Sequence, residues 1–132
     1  MTSLNEKASA LKIKIFVTTS FAGFHCWPEA PPEHEYLRHR HRHLFQVRAE
    51  KEVSHADRDI EFIELKACVD AAIEQQRGEP ETATWSCETW ATYLLQCFGL
   101  SKCEVNEDGE NGAIVEVDSI PDWALSRRDR NR

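Results

Sequence analysis

Apolar side chains recur at every second position in two stretches of the chain. Between 11 and 25, Leu11, Ile13, Ile15, Val17, Thr19, Phe21, Gly23 and His25 share one face, and Lys12, Lys14, Thr18 and Ser20 share the other. Between 40 and 53, His41, His43, Phe45, Val47 and Ala49 alternate with Arg42, Leu44, Gln46, Arg48 and Glu50. A period of two belongs to a β-strand with one buried face. Strands are therefore predicted over about 11–25 and 40–53, paired antiparallel as a long hairpin. Pro28, Pro31 and Pro32 exclude regular structure from the connection.

The spacing then becomes helical. Phe62, Leu65, Val69, Ala72 and Ile73 form a stripe within about 60–76, with Glu61, Glu64, Lys66, Asp70 and Glu74 mostly off it. The loop before it carries His55, Asp57 and Asp59, whose aspartates are capping candidates; Gly78 and Pro80 end the helix. Ser86 is the expected N-cap of a second helix lined by Cys87, Trp90, Ala91, Leu94, Cys97 and Phe98, with Gly99 as its stop. A closing hairpin, near 102–107 and 113–118, turns through Asp108-Gly109-Glu110-Asn111-Gly112. Residues 1–10 and 121–132 read as flexible ends around one domain, 11–120. The order strand-strand-helix-helix-strand-strand predicts an α+β domain. It would be an antiparallel four-stranded sheet (ββααββ) with both helices on one face. Assembly into a closed barrel would cover its exposed edges.

The chemistry sits where the two long strands end. His41 and His43 continue an inward-facing apolar row, and two residues along a strand span about 6.6 Å, so both rings can reach one ion. His25 ends the matching row of the first strand and comes close to them if the strands pair. Three neutral imidazoles with one open position are the ligand set of a catalytic zinc rather than a structural one. His39 competes with His43 as the companion of His41. A histidine run among arginines also reads as a solvated basic loop.

Composition narrows the classes. A chain of 132 residues, 41% apolar and 30% charged, suits one soluble globular domain. No apolar run approaches membrane-spanning length, and residues 1–12 lack a signal-peptide pattern, so the expected location is cytoplasmic. A net charge of −7 argues against nucleic acid and anionic membranes as partners. The five cysteines are odd in number, and none form a CxxC pair, so no disulfide framework is expected. Cys68 and Cys97 are expected in or near the core. Arg38, Arg40, Arg42 and Arg48 form a local basic cluster that suits either an anionic group of a small substrate or a solvated strand face.

Taken in order, these motifs resemble the family of 6-pyruvoyl-tetrahydropterin synthase and 6-carboxytetrahydropterin synthase, the tunnelling fold. Phe21-Ala-Gly-Phe-His25 resembles the Phe-x-Ala-x-His that supplies the first zinc ligand. His41-Arg-His43-Leu-Phe45-Gln-Val47 resembles the His-Gly-His-x-Tyr/Phe-x-Val that supplies the other two. Ile60-Glu-Phe-Ile-Glu-Leu-Lys66 resembles the opening of the first helix, Ser86-Cys87-Glu88 the opening of the second, and Val105-Asn-Glu107 the segment whose glutamate grips the pterin ring. The resemblance implies Zn2+ on His25, His41 and His43, and a pterin-like substrate contacted by Glu107, Ser86 and Cys87. It also implies a homo-oligomer, trimer or hexamer, with carbon–oxygen lyase chemistry in tetrahydropterin or 7-deazaguanine precursor synthesis. The family's cysteine base falls here on Leu37, leaving Glu33 or Glu35 as candidate catalytic residues. The family's Asp-His pair has no counterpart in 77–85; His55 with Asp57 lies before the first helix. Cys26, next to His25, is expected to point to the opposite face. A non-catalytic pterin- or purine-binding protein, or a structural domain whose histidines bind nothing, are the alternatives.

Overall fold

The structure, a computed structural model, describes residues 11–118; the predicted flexible ends, 1–10 and 121–132, lie outside the described residues, as do 119 and 120 of the predicted domain. Four strands form one antiparallel sheet in chain order: β1 (Ile13–His25), β2 (His41–Val53), β3 (Lys102–Glu107) and β4 (Asn111–Glu116). Between β2 and β3 lie two α-helices, α1 (Phe62–Gln76) and α2 (Cys87–Phe98). The α+β reading and the ββααββ order hold. The register pairs Phe21 with Phe45, Gly23 with His43 and His25 with His41, and β2 continues it by pairing Phe45 with Glu107.

The inward row of the sheet packs against the inward stripes of both helices. Val17, Phe21, Phe45, Val47, Ala49, Cys103 and Val105 meet Leu65, Val69 and Ile73 of α1 and Trp90, Ala91 and Leu94 of α2. The helices therefore share one face. Phe21 stacks on Phe45 at 5.1 Å and meets Trp90 at 4.9 Å, so the core reaches to within one paired position of the histidines. Burying each large side chain of this cluster contributes about 1.5–3 kcal/mol. Lys66 of α1 and Arg77, the residue that caps its C-terminus, donate to the Thr18 and Ala22 carbonyls of β1, which satisfies part of an otherwise open edge.

Several expectations need correction. Phe62 is 54% exposed and lies off the buried stripe of α1. Cys68 and Cys97 are exposed rather than core thiols. Glu61, not Asp57 or Asp59, caps α1 by accepting from the Glu64 N–H; Asp59 instead accepts from the backbone and hydroxyl of Ser54. The Ser86 and Gly99 caps of α2 are as expected. The proline-rich connection is not irregular throughout. It holds a 3-10 helix, Pro32–Arg38, with proline in the first turn, where its missing N–H costs nothing. A second 3-10 helix covers Pro80–Thr84. The closing turn is tighter than expected. Asp108 and Gly109 both take positive φ, the Glu110 N–H donates to Glu107, and pairing resumes at Asn111, so β4 starts earlier.

The helix-free face is mixed. Phe16, Phe24, Leu44 and Ile114 are exposed there, among Thr18, Ser20, Gln46, Glu104 and Asn106. Arg48 lies over Phe16 and Arg40 over Phe24, while Arg38 donates to the Ala30 carbonyl. Arg38, Arg40 and Arg48 are thus engaged at separate places rather than around one anion site. No helix among the described residues is long and apolar enough to cross a membrane.

Gly112 pairs with Asn106, and a Cβ there would overlap the Val105 carbonyl oxygen and Asn106 backbone. A backbone clash cannot be relieved by a rotamer change. Gly112→Ala should lower stability by about 1–3 kcal/mol in denaturant unfolding. Gly78→Ala, whose nearest neighbour would lie 3.4 Å away, should change it by less than about 1 kcal/mol.

Candidate metal centre

β1 and β2 end together at the His25–His41 pair, and period-two alternation brings His43 to the same face. The ring centroids lie 4.4 Å (His25–His41), 5.1 Å (His25–His43) and 4.8 Å (His41–His43) apart. One ligand atom from each lies within 4.8 Å of the other two. His39, the rival companion, is exposed, and its carbonyl holds His41 instead.

Each ring is oriented through Nδ1. His25 Nδ1 meets the Trp85 carbonyl at 3.2 Å, His41 Nδ1 the His39 carbonyl at 2.8 Å, and His43 Nδ1 an Asp108 carboxylate oxygen at 2.7 Å. A carbonyl or carboxylate oxygen accepts, so Nδ1 carries the proton and Nε2 of a neutral ring is left with its lone pair. The Nε2 atoms of His25 and His41 are buried without a hydrogen-bond partner. Buried polar atoms are rarely left so, and imidazoles with one nitrogen pinned to a carbonyl or carboxylate are the usual form of metal ligands. The residues fit a divalent cation with nitrogen preference such as Zn2+.

Glu107 enters from β3, opposite Phe45. Its oxygens lie 3.4 Å from His25 Nε2 and 3.6 Å from His43 Nε2. Desolvation lowers the His25 pKa, opposed by the Trp85 hydrogen bond and the Glu107 charge. The His43 hydrogen bond and the Leu44 N–H hold the Asp108 carboxyl below its ordinary range. Asp108 also accepts from Leu44 N at 2.8 Å and donates its own N–H to the Leu44 carbonyl, so the tight turn is stapled to β2.

Beside the imidazoles opens a cavity of about 480 Å³, within the usual size range of small-molecule sites. His25, His41 and Glu107 line it, with Trp27, Leu37 and Trp85 as apolar walls and Ser86, Cys87 and Glu88 at the start of α2. Backbone bonds from Cys26 to Ala83 and from Trp27 to Leu37 draw the two loops around it.

The structure brings together His25, His41, His43, Glu107, Ser86 and Cys87. The Ser86 hydroxyl is partly engaged, accepting from Thr89 N as the cap of α2. Burial first, then the Glu107 charge, push the Cys87 thiol up to about 12, so it is neutral near pH 7. Glu33 and Glu35 lie exposed on the first 3-10 helix and do not line the cavity. Leu37, set against a cysteine in the resemblance drawn from the sequence, does line it. His55 and Asp57 follow the far end of β2, some twelve extended residues from His41, about 40 Å along the strand. Cys26 requires correction: β1 ends at His25, alternation lapses, and Cys26 turns into the same cavity.

Sequence reasoning missed Asp108, treated only as a turn residue, and the cavity walls Trp27 and Trp85. The signal for Asp108 was the carboxylate directly after Glu107, legible only once the β2–β3 register is known. No protein-family model matches the sequence, and no curated protein matches it either.

Thiol labelling at neutral pH should modify Cys68 and Cys97 first. Cys87 and Cys103, both buried with thiols pushed up to about 12, should stay unlabelled until denaturant is added. Peptide mass mapping over time checks this order.

Proposed function

We propose that the chain is a zinc-dependent enzyme of the 6-pyruvoyl-tetrahydropterin synthase and 6-carboxytetrahydropterin synthase kind, a carbon–oxygen lyase for a dihydroneopterin triphosphate-type substrate. The observation that carries this reading is the convergence of the His25, His41 and His43 rings, each pinned through Nδ1, beside a cavity that His25, His41 and Glu107 line. Zinc on these three residues supplies a Lewis acid that polarises a hydroxyl or carbonyl oxygen of the substrate side chain. Trp27 and Trp85 give a flat ring apolar walls and keep water from its faces. Glu107 accepts hydrogen bonds from ring N–H groups. Glu88 and Glu107 are the carboxylates that line the cavity, and a proton carrier must lie within hydrogen-bond reach of its substrate. The ββααββ order supports a tunnelling-fold subunit. The outer edge of β4 and the helix-free face of the sheet support assembly into a homo-oligomeric barrel, trimer or hexamer.

A second reading is favoured by Leu37. An apolar side chain lines the cavity where the family's base would stand, and Glu33 and Glu35 lie outside it. On that reading the chain binds a pterin- or purine-like ligand without turnover.

Protein purified without a histidine tag and loaded with Zn2+ should consume 7,8-dihydroneopterin triphosphate over many turnovers. His41→Ala should slow this by at least about 100-fold. Binding of the substrate without its loss selects the second reading, and neither binding nor loss refutes both.

A further inference from the structure

We propose that Glu107 is the fourth ligand of the metal held by His25, His41 and His43, so that the resting site is a three-histidine, one-carboxylate centre. This rests on the reading that the histidines hold a metal. Its own support is the placement of the carboxylate. Glu107 Oε1 lies 3.4 Å from His25 Nε2, and Oε2 lies 3.6 Å from His43 Nε2. Both separations exceed the roughly 2.7–3.2 Å of an N–H···O hydrogen bond, and His25 Nε2 has no hydrogen-bond partner. Ligands of a tetrahedral ion with bonds of about 2.0–2.1 Å stand about 3.3 Å apart. The carboxylate therefore stands at ligand-to-ligand distance rather than at hydrogen-bond distance.

The lone pairs make the same point. Nδ1 of His25 and of His43 points to an acceptor, so in the neutral rings, the form that binds a metal, both Nε2 atoms present lone pairs toward the Glu107 carboxylate. Lone pair facing lone pair is unfavourable with nothing between, and a cation shared by all of them removes the conflict. The residues behind the four groups complete the arrangement. The Trp85 and His39 carbonyls and the Asp108 carboxylate hold the rings, and Cys87 lines the same cavity as Glu107. Glu107 is held on β3 by its pairing with Phe45, a strand position rather than a loop, which fixes where the carboxylate can reach. Because it also lines the cavity, a substrate atom that binds the metal has to displace this carboxylate or add beside it.

The test uses the full chain as wild type, Glu107→Gln, Glu107→Ala and His41→Ala. Zn2+ affinity is measured by chelator competition, the visible spectrum is recorded with Co2+ in place of zinc, and circular dichroism checks folding. The expected result is a four-coordinate Co2+ spectrum for wild type. Both Glu107 variants should fold, show an altered spectrum and bind Zn2+ at least tenfold more weakly. An unchanged Co2+ spectrum and an affinity within twofold of wild type in either folded Glu107 variant overturn the assignment. If wild type binds zinc and only His41→Ala loses it, the carboxylate assignment fails while the histidine site stands. If wild type binds no zinc, both fail. Should both Glu107 variants misfold, the wild-type Co2+ spectrum decides: a four-coordinate spectrum that stays the same between about pH 6 and 9 supports Glu107, whereas one that changes over that range, as a metal-bound water in the fourth position loses its proton, or a six-coordinate spectrum overturns it.

Discussion

A slip of one residue between β1 and β2 would turn His25, or the His41–His43 pair, onto the helix-free face. The observed register prevents this because the same slip would expel Phe21 from its stack on Phe45 and Val17 from the core. Burial of a few aromatic and branched side chains thus fixes the direction of three imidazoles several residues away. Whether the three donors meet at one point depends on that apolar packing, while the imidazole nitrogens themselves decide which ions suit the site. Only after the register is set can the Trp85 and His39 carbonyls and the Asp108 carboxylate decide which ring nitrogen is left bare.

The remainder of the site is assembled by loops tied to the strand end. The first connection returns to β1 through the bond between Trp27 and Leu37, and the connection between the helices returns through Cys26 and Ala83. Each tie satisfies a backbone N–H that would otherwise be left over where the sheet stops. The same ties bring two tryptophans and a leucine to the cavity. α2 then places Cys87 and Glu88 at its mouth, because the Ser86 cap fixes where the helix begins.

Much of this was legible in the alternation of residues. The period of two along 13–25 and 41–49 predicted which side chains face inward, and the inward histidines followed as a consequence. The cap at Ser86 and the stop at Gly99 were equally local, since each depends on one side chain or one backbone angle. What stayed hidden depends on distance in space. Cys26 was assigned by extending alternation one residue past the point where β1 ends. Cys68, Cys97 and Phe62 have the spacing of a stripe, but α1 and α2 are rolled so that these positions face out. The neighbours that hold the rings, Asp108 and the Trp85 carbonyl, are separated from their histidines by about sixty residues of chain, and no spacing rule connects them.

Gly112 gives one wall of the cavity a particular character. It lines the space together with Asn111, yet β4 lies so close to Val105 and Asn106 that no side-chain atom fits there. At Gly112 that wall is main chain, and its shape there is dictated by the hairpin rather than by residue choice. Drift in what the cavity admits is therefore barred at Gly112 itself and falls to lining positions that carry side chains, Trp27, Leu37 and Trp85 on the loop side among them.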